Sequence, residues 1–364
     1  MKEKKIRLFE MFSGFGGASF ALKKAGIDFE TVGYSEIDKF AIQCYEQNHS
    51  VLCYGSPIPE NLGDATKIEP ELISDFDLLT AGFPCQAFSV AGKGLGELDT
   101  RGTLFNEIIR VAEVKKPKFM LLENVKGLTN KKHKATFEKI LSELDRIGYV
   151  VKWKVLNTKE HGIPQNRERV FFMCFRTEYE EGLGWVADVN EFPEPEELKI
   201  FLKDILESNV DESYYLNEEQ MNNLIFKSNH SNSRVYDVEG ISPALNTMQG
   251  GHRQPFILIK NATKKGYLEG YYGDGVNLEF PDSKTRRSRI IRHCSSTLQC
   301  SDARGVIEKD MRIRKLTPTE CFRLMGFLDD NINLEGLSNT QRYKLAGNGW
   351  DVNLVSKIFK KMIL

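Results

Sequence analysis

The chain has 364 residues, with 50 Lys+Arg against 51 Asp+Glu, a formal net charge of −1, 41% hydrophobic and 28% charged residues. That is about two domains of a globular protein with a full core, and no stretch approaches the roughly 18 consecutive apolar residues of a membrane span or the apolar segment of a secretory signal. Seven scattered cysteines without a C-x-x-C pair argue against a disulfide scaffold or zinc ribbon and for a reducing, cytoplasmic setting.

Ile6–Phe12 is a short apolar run that ends in Ser13-Gly-Phe-Gly-Gly-Ala18. A helical pattern follows over Ser19–Ala25, closed by Gly26. Further strand-like runs are Thr31–Ser35, Asp77–Ala81, Phe119–Leu122 and Val170–Phe175, with helical stretches at Thr103–Val114 and Ala135–Ile147. Strands alternating with helices predict an α/β fold around a doubly wound, mostly parallel sheet.

The pattern then breaks. Residues 178–219 hold fourteen acids and two bases, whereas 227–315 hold sixteen bases and nine acids among short irregular strands. Near-zero net charge is therefore a sum of opposed regions and does not exclude a nucleic-acid partner. A helical pattern returns near residue 316. The expected layout is a catalytic domain of residues 1–192 and 320–364 around a smaller, mostly irregular or β domain of residues 193–319.

A strand feeding Gly14-Phe15-Gly16-Gly17 into a helix suits a ligand held close to the backbone at a helix N-terminus. Glu36, 22 residues after Gly14, can accept hydrogen bonds from ribose hydroxyls. Ser19 stands where a third glycine would complete G-x-G-x-x-G, so a nucleoside-containing cofactor and a merely tight turn both remain open. Asp64, after another turn, is either an adenine contact or a turn-capping aspartate.

Gly82-Phe-Pro-Cys-Gln86 follows a buried-strand run, and in doubly wound sheets the crevice lies beyond the carboxyl ends of the strands. Such a loop is a poor place to hide a small core residue, so Cys85 reads as a nucleophilic thiol. Cys44, Cys53, Cys174, Cys294, Cys300 and Cys321 read as packing. His161, in His161-Gly-Ile-Pro164, reads as a turn residue rather than a general base.

Phe12-x-Gly14-x-Gly16-Gly17, Gly82-Phe-Pro-Cys-Gln86, Glu123-Asn-Val125, Gln165-x-Arg167-x-Arg169, Arg314-Lys-Leu-Thr-Pro318 and Gly347-Asn348 occur in that order. With them the chain resembles the DNA (cytosine-5)-methyltransferases of bacterial and phage type over most of its length. The resemblance implies a Rossmann-like S-adenosylmethionine-dependent domain, no metal, and a target-recognition domain that reads double-stranded DNA. It implies a cytosine flipped from the duplex, Cys85 attacking C6, Glu123 holding the base edge, Arg169 at the base carbonyl, and Arg167 supporting a loop or a phosphate. Phe12, Gly14, Phe15, Gly16, Gly17, Glu36, Ile37, Asp64, Pro84, Leu104 and Asn348 are implied cofactor contacts. The family's usual Gly-Asn-Ser-Val is here Gly347-Asn-Gly-Trp350, which leaves Trp350 as a core or near-cofactor residue.

Gln86, Ser89 and Arg101 are candidates for a DNA-facing loop, hinged at Gly92-Lys-Gly-Leu-Gly96. Arg234, Tyr236, Gln249, His252 and Arg253 carry donors and acceptors suited to base edges. Arg287 and Arg289, within the basic run Lys284–Arg292, are candidate phosphate contacts, as is the lysine-rich stretch 115–134. Thr297-Leu298 and Ala244-Leu245 both fit the family's Thr-Leu position. The expected protein is a cytoplasmic monomer of a bacterium or phage-infected cell, either solitary or beside a cognate restriction endonuclease. An RNA cytosine methyltransferase, a nucleotide-dependent oxidoreductase and a non-catalytic DNA-binding module are the competing readings.

Overall fold

The computed structural model of the chain describes residues 5–52, 57–83, 103–180, 184–186, 190–217, 219–221, 257–301, 303–310, 312–329 and 331–364. In chain order the catalytic half contains β1 (Ile6–Met11), α1 (Gly17–Ala25), β2 (Phe29–Ser35), α2 (Lys39–Leu52), β3 (Leu78–Gly82), α3 (Thr103–Lys115) and β4 (Phe119–Val125). It continues through α4 (Lys134–Arg146), β5 (Tyr149–Asn157), β6 (Gln165–Asn166) and β7 (Glu168–Arg176). Six of these strands form one sheet in the order β2-β1-β3-β4-β7-β5.

β1, β2, β3 and β4 pair in parallel, whereas β7 runs antiparallel to both β4 and β5. The link from β5 to β7, residues 158–167, is too short for the dozen or more residues a parallel crossover needs, so the strand must fold straight back. That reversal places the start of β7 at the same sheet edge as the end of β4.

Adjacent residues on one strand enter opposite apolar layers. Leu8, Leu78, Leu121, Phe171 and Met173 face one cluster, while Phe9, Leu79, Leu122, Phe172 and Cys174 face the other. A sheet apolar on both faces needs helices on both, which is why its strands read as continuous apolar runs rather than alternating ones. Burying each large side chain contributes about 1.5–3 kcal/mol. Of the six-stranded sheet, β5 is the strand absent from the sequence reading: Lys152-Trp-Lys154 interrupts the apolar signal because β5 is an edge.

The smaller region contains the hairpin β10 (Ile257–Lys260) and β11 (Tyr267–Gly270), after the short pair β8 (Glu178–Glu180) and β9 (Gly184–Val186). β12 (Gly275–Asn277), β13 (Ile290–Ile291), β15 (Arg304–Ile307) and β16 (Ile313–Lys315) form a four-stranded sheet over Met221, Ile259, Val276, Ile307 and Ile313. β14 (Ser295–Ser296) instead pairs in parallel with β6, stitching the two regions together.

Phe192, Leu202 and Ile205 pack in the large catalytic cluster with Leu316 and Phe322, so the chain after residue 192 still covers the first domain. The chain returns through α5 (Pro318–Arg323), α6 (Asn339–Asn348) and α7 (Val352–Ile363). At the junction, Arg314 and Glu320 are both fully buried and paired at 2.8 Å, and Thr317 caps α5. Removing one partner of such a pair leaves an uncompensated buried charge.

Candidate active site

β1 ends in a turn with three left-handed residues: Phe12 at φ +55°, Gly14 at +56° and Gly16 at +87°. The two glycines adopt this without penalty, but Phe12 is strained there, a feature that clusters at ligand sites. Glu36 sits just past β2 and braces the turn. Its Oε2 accepts from Gly14 N at 2.9 Å, and Oε1 accepts from Ile37 N at 2.8 Å and Asp38 N at 2.9 Å. Oε2 retains a lone pair, and Glu36 lines the crevice beside Phe12, Gly14 and Asn348.

Ser19 explains its own departure from the glycine pattern. Its hydroxyl donates to Oε1 of Glu10, which also accepts from the Tyr45 hydroxyl at 3.0 Å. Burial lifts the Glu10 carboxyl to about 7. Above it lies a cavity of about 40 Å³ lined by Ser13, Gly14, Asn348 and Trp350, and the buried Ser13 Oγ has no hydrogen-bond partner. The Ser13 hydroxyl therefore stands beside the glycine turn as an uncommitted donor and acceptor.

The other cofactor candidates fall less evenly. Gly17 opens α1 and borders the same cavity. Ile37 is 76% exposed beside Glu36. Asp64 Oδ1 accepts from Thr66 N and Thr66 Oγ1, so this aspartate caps the short turn Ala65–Lys67. Leu104 is half-buried in the first turn of α3. The Phe15 ring packs edge-on against Phe20, Phe322 and Phe327 in the core, so only the turn's backbone at this position remains for a ligand.

Beyond the parallel strand ends lies a crevice of about 370 Å³. Glu123, near the end of β4, and Arg169, near the start of β7, meet there with Nε 2.9 Å from Oε1. The pair is charge-assisted and mostly shielded from water. Asn124 Nδ2 donates to Phe83 O at 2.9 Å, anchoring the chain just before Pro84 and Cys85.

Arg167 also lines this crevice, but its guanidinium is buried and committed. It donates to Gly347 O at 3.2 Å and Gly349 O at 2.9 Å. Burial and the neighbouring Arg169 pull its pKa down. Of the two roles implied for Arg167, loop support fits and a phosphate contact does not. His161 is fully buried, its two ring nitrogens are unpartnered, and burial with nearby Lys357 pulls its pKa down to about 4. It is a neutral packed residue, as its turn position suggests.

Arg289 requires a correction. Expected at a phosphate, it is 1% exposed and donates to the carbonyls of Lys260, Asn277, Glu279 and Phe280. It ties β10 to the loop after β12 and has no free edge. Arg287 is exposed. Thr297 Oγ1 donates to Asn166 O at 2.9 Å, next to Arg167. In the lysine-rich stretch, Lys115 pairs with Asp75 and Lys126 with Glu168, so part of that charge is spent internally. Pro84, Cys85, Gln86, Ser89, the 92–96 hinge, Arg101, Arg234, Tyr236, Ala244-Leu245, Gln249, His252 and Arg253 lie outside the described residues.

Lys344 and Cys300 escaped the sequence reading as site residues, and Trp350 stands in it as a core or near-cofactor residue. Lys344 pairs with Asp38 at 2.5 Å across the crevice mouth. Trp350 is half-buried against Gly17 and Gly82, both core-packed and beside the implied cofactor site. Cys300, expected in the core, is exposed. Only Trp350 carried a signal, its departure from the usual Gly-Asn-Ser-Val.

The architecture is that of methyltransferases already solved. The chain superposes on a DNMT2 variant from Spodoptera frugiperda with a TM-score of 0.65 at 20% identity, covering 99% of this chain and all of that one. A putative DNA modification methyltransferase from an E. coli prophage gives 0.60 at 19%, covering 98% of both chains.

Sequence goes further: the model of the C-5 cytosine-specific DNA methylases matches residues 6–364, and the chain belongs to that family. It is 34% identical to the orphan methyltransferase M.SPBetaI of Bacillus phage SPbeta, over 99% of this chain and 98% of that protein. It is 30% identical to the type II methyltransferase M2.ScrFI of Lactococcus lactis, over 98% and 99%. Membership makes the chain a methyltransferase. Among the described residues no helix is long and apolar enough to cross a membrane.

Proposed function

We propose that the chain methylates C5 of a cytosine in a specific sequence of double-stranded DNA, with S-adenosylmethionine as the donor. The observation that carries this reading is the Glu123–Arg169 pair in a crevice that also holds Glu36 and the strained glycine turn. One site thus offers a base-edge acceptor, a fixed cation and a nucleoside-type cradle. The Ser13 hydroxyl and the remaining lone pair on Glu36 Oε2 fit a ribose-bearing ligand.

When bound, S-adenosylmethionine supplies an electrophilic methyl group. No side chain reaches C6 inside a duplex, so the target base is flipped into the crevice. The Cys85 thiolate adds to C6, and C5 would then have the electron density to take the methyl carbon. The electron pair of the broken sulfur–carbon bond stays on the donor's sulfur, which leaves as S-adenosylhomocysteine. Loss of the C5 proton then expels the thiolate and restores the ring. Glu123 holds the base edge, with Oε1 fixed by Arg169, while Arg169 faces the base carbonyl and Arg167 holds the Gly347–Gly349 turn. Arg287 and Lys284 contribute phosphate contacts, and Gln86, Ser89, Arg101, Arg234, Tyr236, Gln249, His252, Arg253 and Thr297 are the candidate DNA contacts. The protein works as a cytoplasmic monomer, either solitary or genetically paired with a restriction endonuclease.

The test is bisulfite sequencing of DNA from cells expressing the chain, which reports activity and target sequence together. DNA carrying 5-fluorocytosine at that target traps a covalent adduct, because no C5 proton can leave, and Cys85→Ser abolishes both adduct and methylation. A Cys85→Ser protein that still methylates refutes the mechanism.

A further inference from the structure

Cys300 lies in the segment that leaves β14 toward the crevice. Its Sγ is 3.0 Å from Oδ1 of Asn348, the last residue of α6, which lines both the crevice and the small cavity under the glycine turn. The rest of the segment is fixed by neighbours on both sides. Thr297 Oγ1 donates to Asn166 O, and Arg304 Nε donates to Thr297 O at 2.9 Å. The Gln299 carbonyl is pressed against Gly347 so closely that a methyl group there would stand 2.4 Å from its oxygen. Arg167 holds Gly347 O and Gly349 O from the far side. One rigid unit therefore joins the end of the small domain to the turn carrying Asn348.

An asparagine amide presents an acceptor at one end and two donors at the other. A thiol sulfur also accepts weakly from an N–H, but at a longer distance, as Cys44 Sγ does from Asn48 Nδ2 at 3.7 Å, so the 3.0 Å contact favours the amide orientation with Oδ1 toward the S–H. We propose that Cys300 is a positioning residue for the methyl donor: its S–H holds Oδ1 of Asn348 and turns Nδ2 toward an acceptor atom of the ligand. The proposal rests on the reading that Asn348 contacts S-adenosylmethionine, and it makes the small domain a determinant of donor affinity. It also places an exposed thiol beside Asn348 of the crevice lining.

Calorimetric titration of the full chain with S-adenosylhomocysteine tests it. Cys300→Ala weakens binding by about five- to tenfold, the scale of one hydrogen bond, while Cys300→Ser, whose hydroxyl also donates, stays within about twofold. In methylation assays the KM for the donor rises in Cys300→Ala and kcat at saturating donor holds. In a Cys85→Ser background, N-ethylmaleimide labels Cys300 more slowly when S-adenosylhomocysteine is present, and the labelled protein loses affinity for it. Wild-type affinity in Cys300→Ala, or a Cys300→Ser as weak as Cys300→Ala, overturns the hydrogen-bond role. A wild-type chain that binds no S-adenosylhomocysteine removes the cofactor reading itself, and this proposal with it.

Discussion

Arg169 Nε lies 2.9 Å from Oε1 of Glu123, and the two come from strands that pair antiparallel, Val125 opposite Arg169. Glu123 is two residues back from Val125, so its side chain shares the face and edge on which Arg169 emerges. A parallel β7 would have put Arg169 at the opposite end of the sheet. In the mechanism proposed above, Glu123→Gln keeps the shape of the pair and removes its charge. Single-turnover methylation should slow by about 10²- to 10⁴-fold, the range for a positioned acid or base, while S-adenosylhomocysteine affinity is unchanged. Equal loss of both would mean that the substitution damaged the fold rather than the chemistry.

Glu10 makes stability depend on pH. Its folded value of about 7 stands above the ordinary 4.5 because the carboxyl is buried beneath the glycine turn. Protonation therefore favours the folded chain: the contribution is complete below about pH 4.5 and is lost as pH rises through 7. The shift corresponds to about 3 kcal/mol. Denaturant unfolding of Glu10→Gln against wild type should show the variant gaining on wild type between pH 4.5 and 8, and a pH-independent difference would contradict the burial account.

Arg287 and Arg289 of the basic run should separate cleanly. Lys284→Ala with Arg287→Ala removes two exposed charges, and the slope of log K against log salt for duplex DNA should fall by roughly 1.8, with stability unchanged. Arg289→Ala instead orphans several buried carbonyls and should destabilise the small domain by about 2–4 kcal/mol in urea unfolding. A salt slope unaffected by the double substitution would move the phosphate contacts elsewhere.

Trp350 and Gly82 form a steric pair at the floor of the crevice. A Cβ at Gly82 would stand 2.8 Å from the indole Nε1 and 3.5 Å from Glu123 Oε2. Gly82→Ala should therefore displace the indole and lower kcat/KM at least tenfold, and adding Trp350→Leu should recover part of the loss by opening space. Additive losses in the double variant would show that the methyl acts on Glu123 instead.

Much of the catalytic half was legible in the chain itself. Strands buried on both faces read as apolar runs, the glycine turn announces a backbone that must go left-handed, and Gly26 closes α1 where the helical pattern ends. These are local properties, set by φ/ψ limits and by which faces must be dry. Sequence order also put Glu123 and Arg169 in motifs that imply one site, and the likeness to a family carried their roles.

What tertiary structure alone decided is which charged and polar groups are free. Arg287 and Arg289 are two residues apart in one basic run, yet one is solvated and the other is enclosed by carbonyls from β10 and the loop after β12. Arg167 and Arg169 share a motif, yet one braces a turn from residues 347–349 and the other pairs with Glu123. Cys300 looks like any packing cysteine until α6 brings Asn348 to its thiol. Burial and partners depend on segments distant in sequence, 29 residues for Arg289 and Lys260, 48 for Cys300 and Asn348 and 180 for Arg167 and Gly347, and no local pattern encodes them.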